Sequence, residues 1–148
     1  MTLNKITTKT NLNVGSCELW PLPDFEDQRG NLMAIEFSKD LPFRPQREFF
    51  VHHVPSNKLR GEHAHKKCEQ FLVAIHGHLS IKIDDGTRHK EVELNHPSLG
   101  LYIPANIWGI QFNFSSDAVL MVFASHPYDN DDYIRDYSEF INYVNQAK

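Results

Sequence analysis

Polar and apolar positions alternate most clearly in the middle of the chain. Leu79, Ile81 and Ile83 interleave with Ser80, Lys82 and Asp84, and Val92 and Leu94 interleave with charged residues. Period-two alternation puts every second side chain on one face, which marks half-buried strands. Asp85-Gly86 between them is a strong hairpin signal. The denser apolar run Phe71–Ile75 reads as a fully buried strand. Gly100 to Ile103, Gly109 to Phe114 and Ala118 to Ala124 add three more, separated by Pro104-Ala105-Asn106 and Ser115-Ser116-Asp117. Upstream, Cys17–Leu22, Asn31–Phe37 and Glu48–Val54 have strand character. Asp24–Gly30 reads as a polar turn, and Pro42 and Pro45 mark a loop. Short strands with frequent turns and no helices between them predict an all-β sandwich or barrel. The tail differs: Tyr133, Tyr137, Phe140, Ile141 and Val144 fall on one helical face, predicting an amphipathic helix over 131–146 capped by Asn130–Asp132. Residues 1–13, polar and rich in Thr and Asn, predict a flexible segment or an edge strand.

Composition narrows the class. A chain of 148 residues is a single domain, 1–148, able to bury a real core. Its 41% hydrophobic and 23% charged content are those of an ordinary globule. A net charge of −4 argues against nucleic acid as the main partner. No apolar run is long enough to span a bilayer, and no apolar leader is visible near the N-terminus. Cys17 and Cys68 are too few for a disulfide framework, so the expectation is a reduced, cytoplasmic protein.

The stretch richest in chemistry is Arg60-Gly61-Glu62-His63-Ala64-His65-Lys66-Lys67. Side chains at i and i+2 of an extended chain share a face, so His63 and His65 converge on one wall. That pattern fits a metal site, an acid/base site, or two unrelated core histidines. His52-His53 has no such convergence, because strand neighbours face opposite sides.

The spacing of these residues resembles the two-part cupin signature. The first part reads His63-x-His65-x4-Gln70-x6-Gly77 and the second Pro104-x-Asn106-x2-Gly109-x3-Asn113. Gln70 stands where metal-binding cupins carry Glu, unless Glu69 takes that role, and Gly109 stands where they carry His. The chain more specifically resembles the sugar-nucleotide 3,4-ketoisomerases acting on dTDP-4-dehydro-6-deoxy-glucose. The resemblance rests on Asp27–Glu36, Arg60–Lys67, Asp84-Asp85-Gly86, Gly100–Pro104, Ser115–Ser125 and Tyr128–Tyr137 with its Asp-Tyr-Ile-Arg core. Phe49-Phe50 replaces a Tyr-Tyr often found in that family, and Trp108-Gly109 a Trp-His.

The resemblance implies a cupin double-stranded β-helix, a jelly-roll barrel with a C-terminal α-helix, forming a homodimer. It implies an isomerase that moves a ketone from carbon 4 to carbon 3 through an enediolate. The product is a dTDP-3-dehydro-6-deoxy-hexose of galacto configuration, on a route to 3-amino-3,6-dideoxyhexoses of surface polysaccharide such as O-antigen. This is proton chemistry and needs no cofactor and no metal. Histidine, with a pKa near 6.5, suits the base. His63 is the expected base and His65 its partner. Arg29, in a turn similar to the nucleotide-binding turn of dTDP-sugar 3,5-epimerases, is the expected diphosphate contact. Glu36 is expected on the thymine imide, with Arg47, Arg60, Tyr102, Trp108 and Gln111 completing the substrate contacts. The competing readings are a 3,5-epimerase, a metal-dependent cupin with His63, His65 and Glu69 as ligands, and a non-catalytic nucleotide-sugar-binding module.

Overall fold

A computed structural model describes residues 7–148, so the expectation for residues 1–6 lies outside it. The strands are β1 (Thr10–Asn11), β2 (Glu18–Pro21), β3 (Asp24–Asp27), β4 (Gly30–Met33), β5 (Arg47–His52), β6 (Arg60–His65) and β7 (Gln70–His76). They continue with β8 (Leu79–Asp84), β9 (His89–Leu94), β10 (Leu99–Ile103), β11 (Trp108–Phe112), β12 (Val119–Ala124) and β13 (Tyr133–Ile134), and the chain ends in helix α1 (Tyr137–Gln146). Two sheets form the barrel, one ordered β1-β2-β10-β7-β12-β5 and the other β13-β6-β11-β8-β9, while β3 and β4 make a separate hairpin. This is the expected all-β, cupin-like jelly roll.

Burial explains the sequence patterns. In β7, Leu72 and Ala74 face the interior with Ile81, Ile83, Leu101 and Leu120. On its other face Phe71 and Val73 pack against Trp20, Leu22 and Leu41. Both faces are covered, so β7 reads as a continuous apolar run. β8 alternates because one of its faces is less covered. At Gly100 the backbone of β10 passes so close to Phe71 that a Cβ there would sit 2.1 Å from Cζ.

Three expectations change. Asp24–Gly30 is not a turn alone: Asp24–Asp27 pairs with Gly30–Met33, and the strand anticipated over Asn31–Phe37 stops at Met33. The helix does not begin at 131. Asn130–Asp132 is one 3₁₀ turn, and Tyr133 and Ile134 pair with His65 and Ala64 of β6. The N-cap is Asp136, whose carboxylate accepts the Glu139 N–H at 2.9 Å. Phe140 and Val144, one turn apart, then bury against Ala64, Trp108 and Ile134. His53 takes a left-handed backbone (φ 56°), which swings its ring beside that of His52, 4.8 Å away.

Candidate active site

β6 carries the two histidines and is bent to present them. His63 lies opposite Gly109 and Gly61 opposite Ile110, so Glu62 is an extra residue with φ 54°. Such a bulge re-aims the side chains that follow it. Gly61 holds φ 82°, and a Cβ there would meet the Gly109 carbonyl oxygen at 3.0 Å. Beyond the bulge, His63 and His65 share a face as anticipated, with ring centroids 5.0 Å apart.

The 3₁₀ turn and β13 bring in what the sequence reading missed. His65 Nδ1 lies 2.9 Å from Asp132 Oδ2, in a pair whose side chains are 6% and 11% exposed. Asp132 is held by the N–H groups of Lys67 (2.7 Å) and Cys68 (3.2 Å). With the carboxylate accepting from Nδ1–H, the neutral imidazole keeps its lone pair on Nε2, which is buried and has no partner. Tyr133 packs on both imidazoles, 5.0 Å from His63 and 4.4 Å from His65.

Around these groups lies a cleft of about 270 Å³ lined by Phe49, Val51, Arg60, Gly61, His63, Gln70, Gln111, Tyr128, Tyr133 and Arg135. Among those residues there is no carboxylate. Arg47 sits at its edge, its guanidinium 5.5 Å from the Phe49 ring and 5.6 Å from that of Tyr128. Burial, His65 and the Arg135 guanidinium push the His63 pKa down to about 4, against a hydrogen bond to the Gly61 backbone. Burial also lowers His65, with Asp132 opposing and Arg47 and Arg135 assisting. Both imidazoles are therefore neutral, and competent as bases, at neutral pH.

The anticipated site residues divide. His63, Arg60 and Gln111 line this cleft; His65 is buried beside His63, ring centroids 5.0 Å apart, and Arg47 lies near enough to lower its pKa. Trp108 instead packs in the cluster under α1, beside Tyr137 and Phe140. Tyr102 lies on the outer face of the larger sheet with Phe43, and its hydroxyl donates to Glu69. Glu36 borders a separate groove with Ile35, Phe37, Ser38 and Arg44. Arg29, 85% exposed on the β3–β4 turn, is paired with Asp27 at 2.6 Å.

The metal set of His63, His65 and Glu69 is not assembled, since Glu69 is engaged by Tyr102. His65, Cys68 and Asp132 do gather ligand-type atoms within 4.8 Å. Of these, His65 Nδ1 and Asp132 Oδ2 are bonded to each other, and the thiol donates to the Glu69 carbonyl at 3.4 Å. At Phe49, which lacks a hydroxyl, the cleft carries its phenols on Tyr128 and Tyr133.

A signal for the missed segment was present. Asp136-x-x-Glu139 is a capping pair, which starts the helix there and leaves Tyr133–Ile134 free to be extended.

The chain is similar to known proteins over most of its length. The family model FdtA (WxcM-like, C-terminal) matches residues 15–145. TDP-4-oxo-6-deoxy-alpha-D-glucose-3,4-oxoisomerase of Aneurinibacillus thermoaerophilus is 43% identical over 118 residues, covering 80% of this chain and 85% of that one. A 3,4-ketoisomerase from Helicobacter canadensis superposes with a TM-score of 0.84 at 39% identity, over 87% of this chain and 97% of its own. A histidine-to-asparagine variant of the 3,4-ketoisomerase QdtA from Thermoanaerobacterium thermosaccharolyticum, in complex with TDP-4-keto-6-deoxyglucose, gives 0.87 at 35% identity over 90% and 96%.

Proposed function

We propose that this chain, which belongs to the FdtA family, is a sugar-nucleotide 3,4-ketoisomerase acting on dTDP-4-dehydro-6-deoxy-glucose. The observation that carries the reading is the Asp132–His65 pair beside His63, at a cleft rimmed by guanidiniums and free of carboxylates. Such a cleft favours an anionic ligand. Pockets for drug-sized ligands run roughly 300–1,000 Å³, so a space of about 270 Å³ suits the sugar end, with the nucleotide at the mouth.

The reaction moves two hydrogens. Carbon 3 loses its C–H proton and its hydroxyl proton; carbon 4 gains one on carbon and one on oxygen. The C3 proton is acidified by the adjacent C4 ketone, and its removal gives an enediolate. We assign the carbon protons to His65, because Asp132 fixes its tautomer with Nε2 free and stabilises the imidazolium that forms. This reverses the order expected from sequence. His63, equally neutral but tied to the Gly61 backbone, serves the two oxygens, taking the O3 proton and returning one to O4. Returning the carbon proton to C4 collapses the enediolate to the 3-ketone, and no hydride leaves the sugar.

The remaining assignments extend this reading. Arg47, Arg60 and Gln111 bind the substrate from the cleft wall. Phe25 and Leu32, cross-strand neighbours on the β3–β4 hairpin, are 61% and 62% exposed. That apolar pair favours a homodimer in which the hairpin is covered by a second copy, and Arg29 and Glu36 meet the nucleotide in that assembly. The product has the galacto configuration, and its use is in 3-amino-3,6-dideoxyhexoses of surface polysaccharide. No helix among the described residues is long and apolar enough to cross a membrane.

The test is to incubate chelator-treated protein with the substrate in deuterated water and follow proton NMR. A 3-keto sugar with deuterium at carbon 4 is expected, and the H4–H5 coupling reads its configuration. Exchange at carbons 3 and 5 with the ketone still at carbon 4 would instead assign an epimerase.

A further inference from the structure

We infer that Arg135 is a further catalytic residue, the cation that faces the sugar's C3 and C4 oxygens and holds the enediolate charge. The inference rests on the ketoisomerase reading. Its geometry comes from β13. Tyr133 lies opposite His65 and Ile134 opposite Ala64 in an antiparallel register, and Arg135 follows directly at the end of β13, on the cleft lining with His63. Cross-strand partners on one face stand about 5 Å apart at Cβ. Ile134, on the other face, is buried under α1. The same two-residue period therefore puts Tyr133 and Arg135 beside the two imidazoles, and both line the cleft.

The guanidinium is steered rather than neutralised. It stacks 4.2 Å from the Tyr133 ring centroid and donates through Nη2 to Asn130 Oδ1 at 3.3 Å. Among the described residues no carboxylate pairs with it within 4.0 Å. This uncompensated cation lines the cleft together with His63, and it lowers the pKa of both histidines. Charge that develops on the sugar oxygens between those imidazoles meets it directly, and a pre-set donor at that point acts on the transition state more than on the neutral ketone. Arg60, exposed farther out on β6, and Arg47, on the opposite sheet, are left for the diphosphate.

The experiment compares Arg135→Met and Arg135→Lys with wild type in three readouts: kcat for isomerisation, Kd for dTDP, and NMR titration of the His63 and His65 imidazoles. In Arg135→Met, kcat falls about 100- to 1,000-fold, by analogy with loss of one oxyanion-hole donor. Arg135→Lys recovers part of that loss, dTDP affinity stays within twofold, and both imidazole pKa values rise. A dTDP affinity weakened tenfold with kcat intact makes Arg135 a diphosphate anchor and overturns the inference. So does a kcat within threefold of wild type. If the wild type itself turns over no dTDP-4-dehydro-6-deoxy-glucose, the ketoisomerase reading falls; unmoved histidine titrations in Arg135→Met then overturn the place of Arg135 beside them, and raised ones uphold it.

Discussion

Replacing Asp132 with asparagine tests the mechanism at its most specific point. Both carboxylate oxygens accept hydrogen bonds: Oδ1 from the Lys67 N–H, Oδ2 from the Cys68 N–H and His65 Nδ1. An asparagine of the same shape must turn its amide NH₂ towards one of these sets. Facing Lys67 it opposes a backbone donor. Facing His65 it donates to Nδ1, moves the imidazole proton to Nε2 and removes the lone pair that accepts the C3 proton. In either orientation the negative charge that stabilises the imidazolium is gone. A hydrogen bond to a charged group is worth roughly 1.5–3 kcal/mol. At 1.36 kcal/mol per decade that is about 10- to 150-fold in kcat.

The sign of the accompanying pH effect follows from the same contacts. Asp132 raises the His65 pKa against a larger lowering by burial. Losing it depresses His65 further, so the acid limb of kcat/KM moves to lower pH while the plateau drops. The assay is isomerisation followed by NMR across pH 4–8, with dTDP affinity and circular dichroism as controls for binding and folding. A folded Asp132→Asn variant whose kcat stays within threefold of wild type would refute the role given to the pair.

Other consequences can be measured independently. Because His63 is pushed down to about 4 and His65 is also lowered, the acid limb of kcat/KM lies below the ordinary imidazole value; a half-maximal point at or above about 6.5 would contradict neutral, buried bases. The same depression sets a stability window. The unfolded chain binds the His63 proton first, near 6.5, so stability is complete above that pH and declines towards pH 4 by at most about 3 kcal/mol, readable by urea titration at each pH. Gly100→Ala forces a Cβ against the fully buried Phe71 ring and destabilises by about 3 kcal/mol or more in denaturant unfolding. Tyr137→Phe removes the donor to buried Asp84 Oδ2 (2.7 Å) and costs about 1 kcal/mol without changing kcat.

How much of this was legible depended on whether a residue's partner was local. β8, β9, β10 and β12 announce themselves because a strand covered on one or both faces must alternate or run apolar, which is visible within a few residues. His63 and His65 were legible for the same reason, as strand geometry brings i and i+2 together. Asp132 was not. Its partners, His65 and the Lys67 and Cys68 amides, lie more than sixty residues earlier, and nothing local distinguishes it from a solvated helix cap. Helical periodicity even favoured the wrong element, since Tyr133 sits four residues before Tyr137 and mimics one face of α1. Long-range pairing with β6 overrides that propensity, because extended Tyr133–Ile134 pairs with His65 and Ala64, and Asp132 just before it takes the Lys67 N–H and brings its carboxylate to His65. Tyr102 and Trp108, anticipated at the cleft, lie elsewhere. They lie on β10 and β11, but each strand has two faces, and one residue of register decides whether an aromatic meets the cleft or the outer packing. A period-two pattern gives the alternation and leaves its phase to be set by the rest of the fold.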